Sequence, residues 1–247
     1  MKLRLSFLLI TLLALLLPVQ VRAQALVADL SDHLIAITAG FAGTDVLLFG
    51  ATEGEGDVIV VLRGPEIPVV VRRKSRVAGI WINTERVVLN GAPAFYRVAS
   101  SRPLDDIANT ALRARQQIGS EYLRIASQRE LTPQKFDNFR QGLLRNKERE
   151  GLYSSDVGTV SFLGPRLFRT RFNLPANVPP GSYTVEVLLV RNNQVVAAQT
   201  TPMFVSKTGI GADVYDFAHR HSAVYGFIAV LIAVSTGWAA GSVFRKA

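Results

Sequence analysis

The hydrophobic pattern along the chain changes period twice and ends in an unbroken apolar run. Over residues 26–99, Val and Ile recur in short runs bounded by Gly, Pro, Asp or Asn, which is the pattern of β-strands. It predicts strands at Leu34–Thr38, Asp45–Gly50, Asp57–Arg63, Ile67–Arg73, Gly79–Ile82, Arg86–Leu89 and Phe95–Ala99. The acidic and glycine-rich stretch from Glu53 to Asp57 supplies hairpin chemistry between two of these runs, and Gly64-Pro65 does the same one strand later. From residue 100 the period lengthens to about 3.6. Pro103 suits an early helical position, and Asp105 and Asp106 suit the positive helix start. Leu104, Ile107, Ala108, Ala111, Leu112 and Ile118 then share one face, with Gly119 as the stop. Thr132-Pro133 opens a second helix whose buried face is Phe136, Phe139, Leu143 and Leu144, closed at Gly151. Alternation returns after Thr159 and predicts strands at Val160–Leu163, Leu167–Asn173, Ser182–Arg191 and Val195–Val205, the last two joined by an Asn192-Asn193 turn.

A Pro-Pro-Gly turn precedes Tyr183, and Val185, Val187 and Leu189 alternate after it. This resembles the corner of immunoglobulin-like sandwiches where a tyrosine bonds back to the turn. The late strands are too few to form a sandwich alone and need partners from 26–99. The expected fold is therefore mainly β with a helical insert. One immunoglobulin-like β-sandwich body spans 24–206, interrupted by the insert at about 100–151, and one C-terminal transmembrane helix follows. The alternative is two small β domains bridged by helices.

The ends of the chain set the compartment. Residues 1–23 have the form of a secretory signal: Lys2 and Arg4, then the apolar run Leu5 to Leu17, then Pro18 and a Val21-Arg22-Ala23 cleavage site before Gln24. An uncleaved anchor is the alternative. Residues 222–244, SAVYGFIAVLIAVSTGWAAGSVF, carry no charge. At ~1.5 Å per residue they make a helix of ~35 Å, enough for a hydrocarbon core of ~30 Å. Residues 207–221 form a juxtamembrane segment, and Arg245-Lys246-Ala247 a cytoplasmic tail. The expected location is a bacterial inner membrane, with a single pass and the body in the periplasm.

Composition sharpens this picture at three points. Apolar residues make up 49%, too many for a disordered chain. Cysteine is absent, which excludes disulfides, thiol nucleophiles and thiolate zinc sites. The net charge of +9 would suit nucleic acid, but an exported body meets lipid and small anions instead. Residues 24–103 balance eight basic against eight acidic side chains, so no dense cationic tail exists there, and nucleic acid is not expected as a partner.

Candidate chemistry is sparse. No nucleophile elbow, zincin, P-loop or dinucleotide fingerprint occurs, and no catalytic, cofactor or metal residue is assigned. Arg72, Arg73, Lys74 and Arg76 form the densest basic run. They suit an oxyanion such as sulfite, sulfate or phosphate, or lipid headgroups, or simply a polar hairpin end that guards a strand. His219 and His221 flank Arg220 with no third ligand in view. Trp81, Phe95 and Tyr96 are expected in the core. Ala229, Ala233, Gly237 and Gly241 recur every four residues as a stripe of small side chains in the apolar helix, where a partner helix could approach closely.

Four segments carry a wider resemblance: the start LVADLSDHLIAITAGFAGTDVLLFGATEGEGDVIVVLRGP, the pieces VAGIWIN and FYRVASSRPL, and the tail ADVYDFAHRHSAVYGFIAVLIAVSTGWAAGSVFR. Together they resemble the uncharacterised alphaproteobacterial putative transmembrane protein family over nearly the whole mature chain. That resemblance implies a neighbour among sulfite-exporter-type permeases and implies no mechanism. Two functions follow as expectations. The first is a membrane-anchored periplasmic interaction or accessory protein, with a permease or a second copy as its membrane partner. The second is a small-anion sensor or enzyme with a site at the sandwich–insert junction, using the arginines of 72–76 with Glu85 or Asp105.

Overall fold

Alternating burial builds the first layer of the computed structural model, which describes residues 25–244; the predicted leader at 1–23 and tail at 245–247 lie outside the described residues. The early strands are β1 (Leu26–Leu30), β2 (Leu34–Ile37), β3 (Gly43–Thr52), β4 (Asp57–Arg63), β5 (Val69–Val77), β6 (Ile80–Asn90) and β7 (Tyr96–Ser100). The insert contributes α1 (Leu104–Ile107), α2 (Thr110–Gln116), β8 (Ala126–Ser127) and α3 (Pro133–Arg149). Then come β9 (Gly158–Thr159), β10 (Ser161–Phe162), β11 (Leu167–Pro175), β12 (Gly181–Arg191) and β13 (Gln194–Lys207), and finally α4 (Ile210–Arg220) and α5 (Ser222–Phe244).

One sheet has the order β1-β3-β11-β10. Leu26, Ala28 and Leu30, Val46 and Leu48, and Phe168, Phe172 and Leu174 are its buried face. The second sheet has the order β2-β13-β12-β4-β7-β9, with β2 parallel to β13 and β9 parallel to β7. Val58, Val60 and Leu62 stand opposite Leu189, Val187 and Val185 on its inner face. Inner residues of both sheets belong to one apolar cluster. The Gln199 side chain links the two layers at one edge, accepting from Ala28 N at 2.8 Å and donating to Ala28 O at 2.7 Å. Tyr183 is wholly buried, and its hydroxyl donates to Pro179 O at 2.6 Å, closing the corner expected from the sequence. The chain is thus mainly β with a helical insert and one C-terminal apolar helix. The two main sheets share one core between them, with the Tyr183 corner and the parallel β2–β13 edge as its distinctive features.

The second sheet is covered on its outer face as well, since Ile59 and Val61 are as buried as their inward neighbours. The insert provides the cover. Tyr96 donates to Gln117 O at 2.7 Å and Arg63 to Gln116 O at 2.5 Å, while Ile107, Leu112 and Ile118 join the core. The single helix expected from Leu104 to Ile118 is two. The chain leaves the helix at Ala108, and Asn109 starts a new one by accepting from Leu112 N at 2.9 Å. The turn ends at Gln117 in the left-handed region, ahead of Gly119.

Other expectations shift for topological reasons. The stretch Glu53–Gly56 joins strands of different sheets and so crosses the sandwich rather than closing a hairpin. Arg191 holds that crossover by donating to the carbonyls of Glu53 and Glu55. The run Val160–Leu163 shortens to β10, which pairs with β11; β9 before it pairs with β7, and the chain changes sheet at buried Val160. Ile80–Ile82 and Arg86–Leu89 fall in one strand, β6, which forms a long hairpin with β5 around an Ala78-Gly79 turn. Both turn residues have positive φ, as a two-residue hairpin turn requires. The Asn192-Asn193 turn is built likewise. The hairpin pairs with β8 in a separate three-stranded sheet, outside the sandwich. Phe95 and Tyr96 are core aromatics as expected, but Trp81 is 68% exposed, because the hairpin carries it past the reach of the core.

Register fixes where the hairpin and the apolar helix attach. Both β4 and β13 are antiparallel to β12, so they run the same way, and Thr184 of β12 stands between Arg63 and Pro202. The chain therefore leaves β4 toward the hairpin and β13 toward α4 and α5 at the same end of the sandwich. At the base of the hairpin Val71, Val87 and Leu89 are buried, while Val77 and Ile80 at its tip are exposed.

Candidate functional site

Beyond Val71 the apolar alternation of β5 stops, and the strand carries Arg72, Arg73, Lys74 and Arg76, all exposed. A bulge falls between Arg73 and Lys74: Arg73 stands opposite Glu85 and Lys74 opposite Asn83, so Thr84 has no direct partner. Helix α3 lies against this part of the strand. Its amphipathic run buries Phe139 and Leu143, with Phe136 and Leu144 packed at the edge of the core. Two contacts fix its direction. Lys147 near its end donates to Ala94 O at 3.3 Å, and Lys135 near its start pairs with Glu85 at 2.5 Å. The helix therefore begins beside the middle of the hairpin and returns to its base.

Strand and helix enclose a cleft of about 400 Å³. Arg72, Arg73 and Lys74 line it from the strand, and Lys135 and Arg145 from the helix. Asn138 and Gln141 add amide groups, and at Gly142 an added Cβ would stand 3.9 Å from Val71, so the absent side chain leaves the floor open. The carboxylate beside these cations is Glu85, which also receives Arg129 at 3.1 Å. The hydrogen bond from Lys135 holds the Glu85 carboxyl below the usual carboxylate range, helped by the charges of Lys135, Arg129 and Arg73. Glu85 thus staples the hairpin to the insert and offsets only part of the local positive charge. Chemically the cleft can hold an anion by charge and amide donors.

Of the residues expected from the sequence, Arg72, Arg73 and Lys74 meet at this cleft. Arg76 lies nearer the tip, where its Nε donates to Gly79 O at 3.2 Å. Lys135 and Arg145 were not expected there. Their signal was a row without apolar side chains on α3 at helical spacing, Lys135, Asn138, Gly142 and Arg145, with a cation at each end, where a core face would be apolar. Asp105 is not part of the cleft. It pairs with Arg113 at 2.6 Å, which also pairs with Glu121 at 2.7 Å. Arg113 and Glu121, without Asp105, border a second, smaller cavity of about 170 Å³ at the sandwich–insert junction, where they are paired with each other. Tyr96 at its wall accepts from Gly119 N at 2.8 Å, and burial pushes its hydroxyl up to about 12.

Among the described residues no group of three or more His, Cys, Asp or Glu stands close enough to hold a metal. His219 bonds to Tyr215 O at 2.8 Å, and the His221 ring stacks on Phe217. On α5, the residues Ala229, Ala233, Gly237 and Gly241 are exposed, and a Cβ added at either glycine would meet nothing within 4 Å. Ser235 and Thr236 satisfy their hydroxyls on Leu231 O and Ile232 O, so the helix presents no unpaired hydroxyl there. Ser222–Gly241 is long and apolar enough to cross a membrane and is not buried against the body.

The comparisons with known proteins agree with this last feature. A family model described as "Putative transmembrane protein", alphaproteobacterial, matches residues 25–246. The chain belongs to that family. The match runs through the sandwich, the insert and the apolar helix, so the family comprises body and span together. No curated protein matches the chain. A solved structure of a family 123 glycoside hydrolase from Clostridium perfringens, described for glycolipid glycan hydrolysis, is similar at 10% identity and a TM-score of 0.26. The similarity covers 76% of this chain but only 28% of that one, and it carries no argument about fold or activity.

Proposed function

We propose that the protein is an interaction module held at the bacterial inner membrane, with its body in the periplasm, which assists a second envelope component. The observation that supports this is the shared end of the sandwich. The basic hairpin with its cleft and the connection to α5 leave the body on the same side, so the cationic surface is held near whatever shares the membrane. An integral membrane protein with acidic loops suits that surface, and a sulfite-exporter-type permease is the class implied by the family resemblance. A second copy of this chain through α5 is the other partner the architecture allows. Isolating the full-length chain from its membrane in mild detergent tests the reading. A stoichiometric membrane protein or a defined homodimer is expected, and a chain that always emerges alone and monomeric contradicts it.

One observation favours a second reading. Five cations line one cleft, with room for a small oxyanion together with its water. Calorimetric titration with sulfite, sulfate and phosphate tests it. Binding that is lost in Arg73→Gln and Arg145→Gln would make the protein a small-anion receptor, and no heat with any of the three removes this reading.

A further inference from the structure

We infer that the tip of the β5–β6 hairpin docks on the anionic lipid surface of the bilayer that holds α5. The tip is apolar on both faces. Val77 pairs with Ile80, and Ile82 follows on the same face, while Trp81 projects from the other. All four are exposed, Ile80 at 65% and Trp81 at 68%. A soluble protein rarely leaves such a cluster at the end of a projecting arm, because each group gains by leaving water. Behind the tip stand Arg72, Arg73, Lys74, Arg76 and Arg86, with Glu85 the one carboxylate on the strands. An apolar wedge with a tryptophan, followed by a collar of cations, matches a bilayer interface. Indole settles at headgroup depth, and Lys and Arg meet anionic headgroups behind it. A protein partner would more often meet the apolar tip with a matching pocket and leave the collar at a polar rim.

Two further facts point the tip at a membrane. The hairpin and the segment leading to α5 leave the sandwich at the same end, as the strand registers establish. The arm is also braced rather than floppy. Lys135 and Arg129 fix Glu85, and α3 runs alongside to the base. The docking would orient the body against its own membrane in addition to the tether. It rests on the anchored-body reading above.

The sequence offers a reporter, because its two tryptophans are Trp81 and Trp238. The full-length chain with Trp238→Phe is placed in lipid nanodiscs of phosphatidylcholine alone or with phosphatidylglycerol, with shallow brominated acyl chains as quenchers. In the anionic discs Trp81 emission is expected to shift to shorter wavelength and be quenched. The effect should weaken in the zwitterionic discs and at high salt. Each cation removed should lower the ratio of docked to undocked arm about fivefold. Arg72→Gln, Arg73→Gln, Lys74→Gln and Arg76→Gln together should lower the quenching in anionic discs to about its level in the zwitterionic discs, while the Arg→Lys versions retain it. The salt titration of the unmodified arm gives the same answer should the quadruple variant fail to fold. A chain that co-elutes with the discs but keeps Trp81 solvent-exposed and unquenched in all lipids overturns the docking alone. Trp81 shielded only when a co-isolated protein is added also overturns it, in favour of a protein partner. A chain that does not enter discs overturns the anchored-body reading, and the docking with it.

Discussion

Tyr183→Phe tests the sandwich at its most specific point. The ring is wholly buried, tilted against Phe95 at 6.1 Å between centroids, and its hydroxyl donates to Pro179 O at 2.6 Å. Phenylalanine keeps the ring and its packing. It removes one short hydrogen bond in a site where burial has already raised the hydroxyl's pKa, and it deprives the Pro179 carbonyl of this donor. A lost hydrogen bond of this kind costs about 1–2 kcal/mol. For a body of this size each kcal/mol moves the melting temperature by ~2–4 °C, so a fall of about 2–8 °C is expected. Tyr183→Ala would cost about 3–5 kcal/mol, because the ring itself is lost. The assay is thermal unfolding of the exported fragment 24–206, which contains both sheets and is expected to fold and stay soluble without α5. An absorbance titration in parallel should show one fewer late-ionising tyrosine. A melting temperature within ~1 °C of the parent would refute the corner, since the hydroxyl would then be exchanging with water at no cost.

Three further outcomes follow from the same structure. Burial raises the hydroxyls of Tyr96, Tyr153 and Tyr183 above their ordinary value near 10, so their contribution to stability is complete below about pH 10 and is lost as pH rises toward 12. The melting temperature should be level from neutral pH to about 9 and fall steeply above 10, and a level curve through pH 11 would contradict this. The hydrogen bond from Arg102 holds the Asp57 carboxyl below its usual range, so its stabilising effect is present above about pH 4 and fades at lower pH; Asp57→Asn should flatten the acid limb of the melting curve. Gly50→Ala would place a Cβ 2.5 Å from Val27 O, between β3 and β1, and should cost about 1–3 kcal/mol; unchanged stability would mean β1 is not paired there.

Local chemistry was legible in the sequence, and placement between layers was not. The strand Asp57–Arg63 was predicted to the residue, and the start of α3 at Thr132-Pro133 and the Asn192-Asn193 turn follow from residue types that allow few conformations. The corner tyrosine was likewise readable, because its partner lies four residues away. The strand β1 was missed, since five residues of alternation beside a presumed cleavage site carry little signal. Trp81 was misplaced because Val and Ile alternate in a projecting hairpin much as they do in a core strand; only the long-range pairing separates the two. The cleft was half visible. Arg72, Arg73 and Lys74 are contiguous, whereas Lys135 and Arg145 join them only through the packing of α3, which depends on Glu85 and on the buried Phe139 and Leu143. Asp105, offered as a partner carboxylate, instead pairs with Arg113 across the break at Ala108 between α1 and α2.

The central claim is that the protein works by association at the membrane, and α5 allows the most direct test of it. Ala229, Ala233, Gly237 and Gly241 drift only about 40° per step around the helix, so they form one slanting stripe on which another helix could pack closely. The measurement is co-isolation from membranes in mild detergent, comparing the full-length chain with Gly237→Ile, Gly241→Ile. Export and membrane insertion should be equal in the two. The account predicts that the parent chain brings down a membrane partner or a second copy and that the double variant brings down neither. Equal recovery of the same partner from both chains would contradict the helix–helix contact, and a parent chain recovered alone would contradict the claim itself.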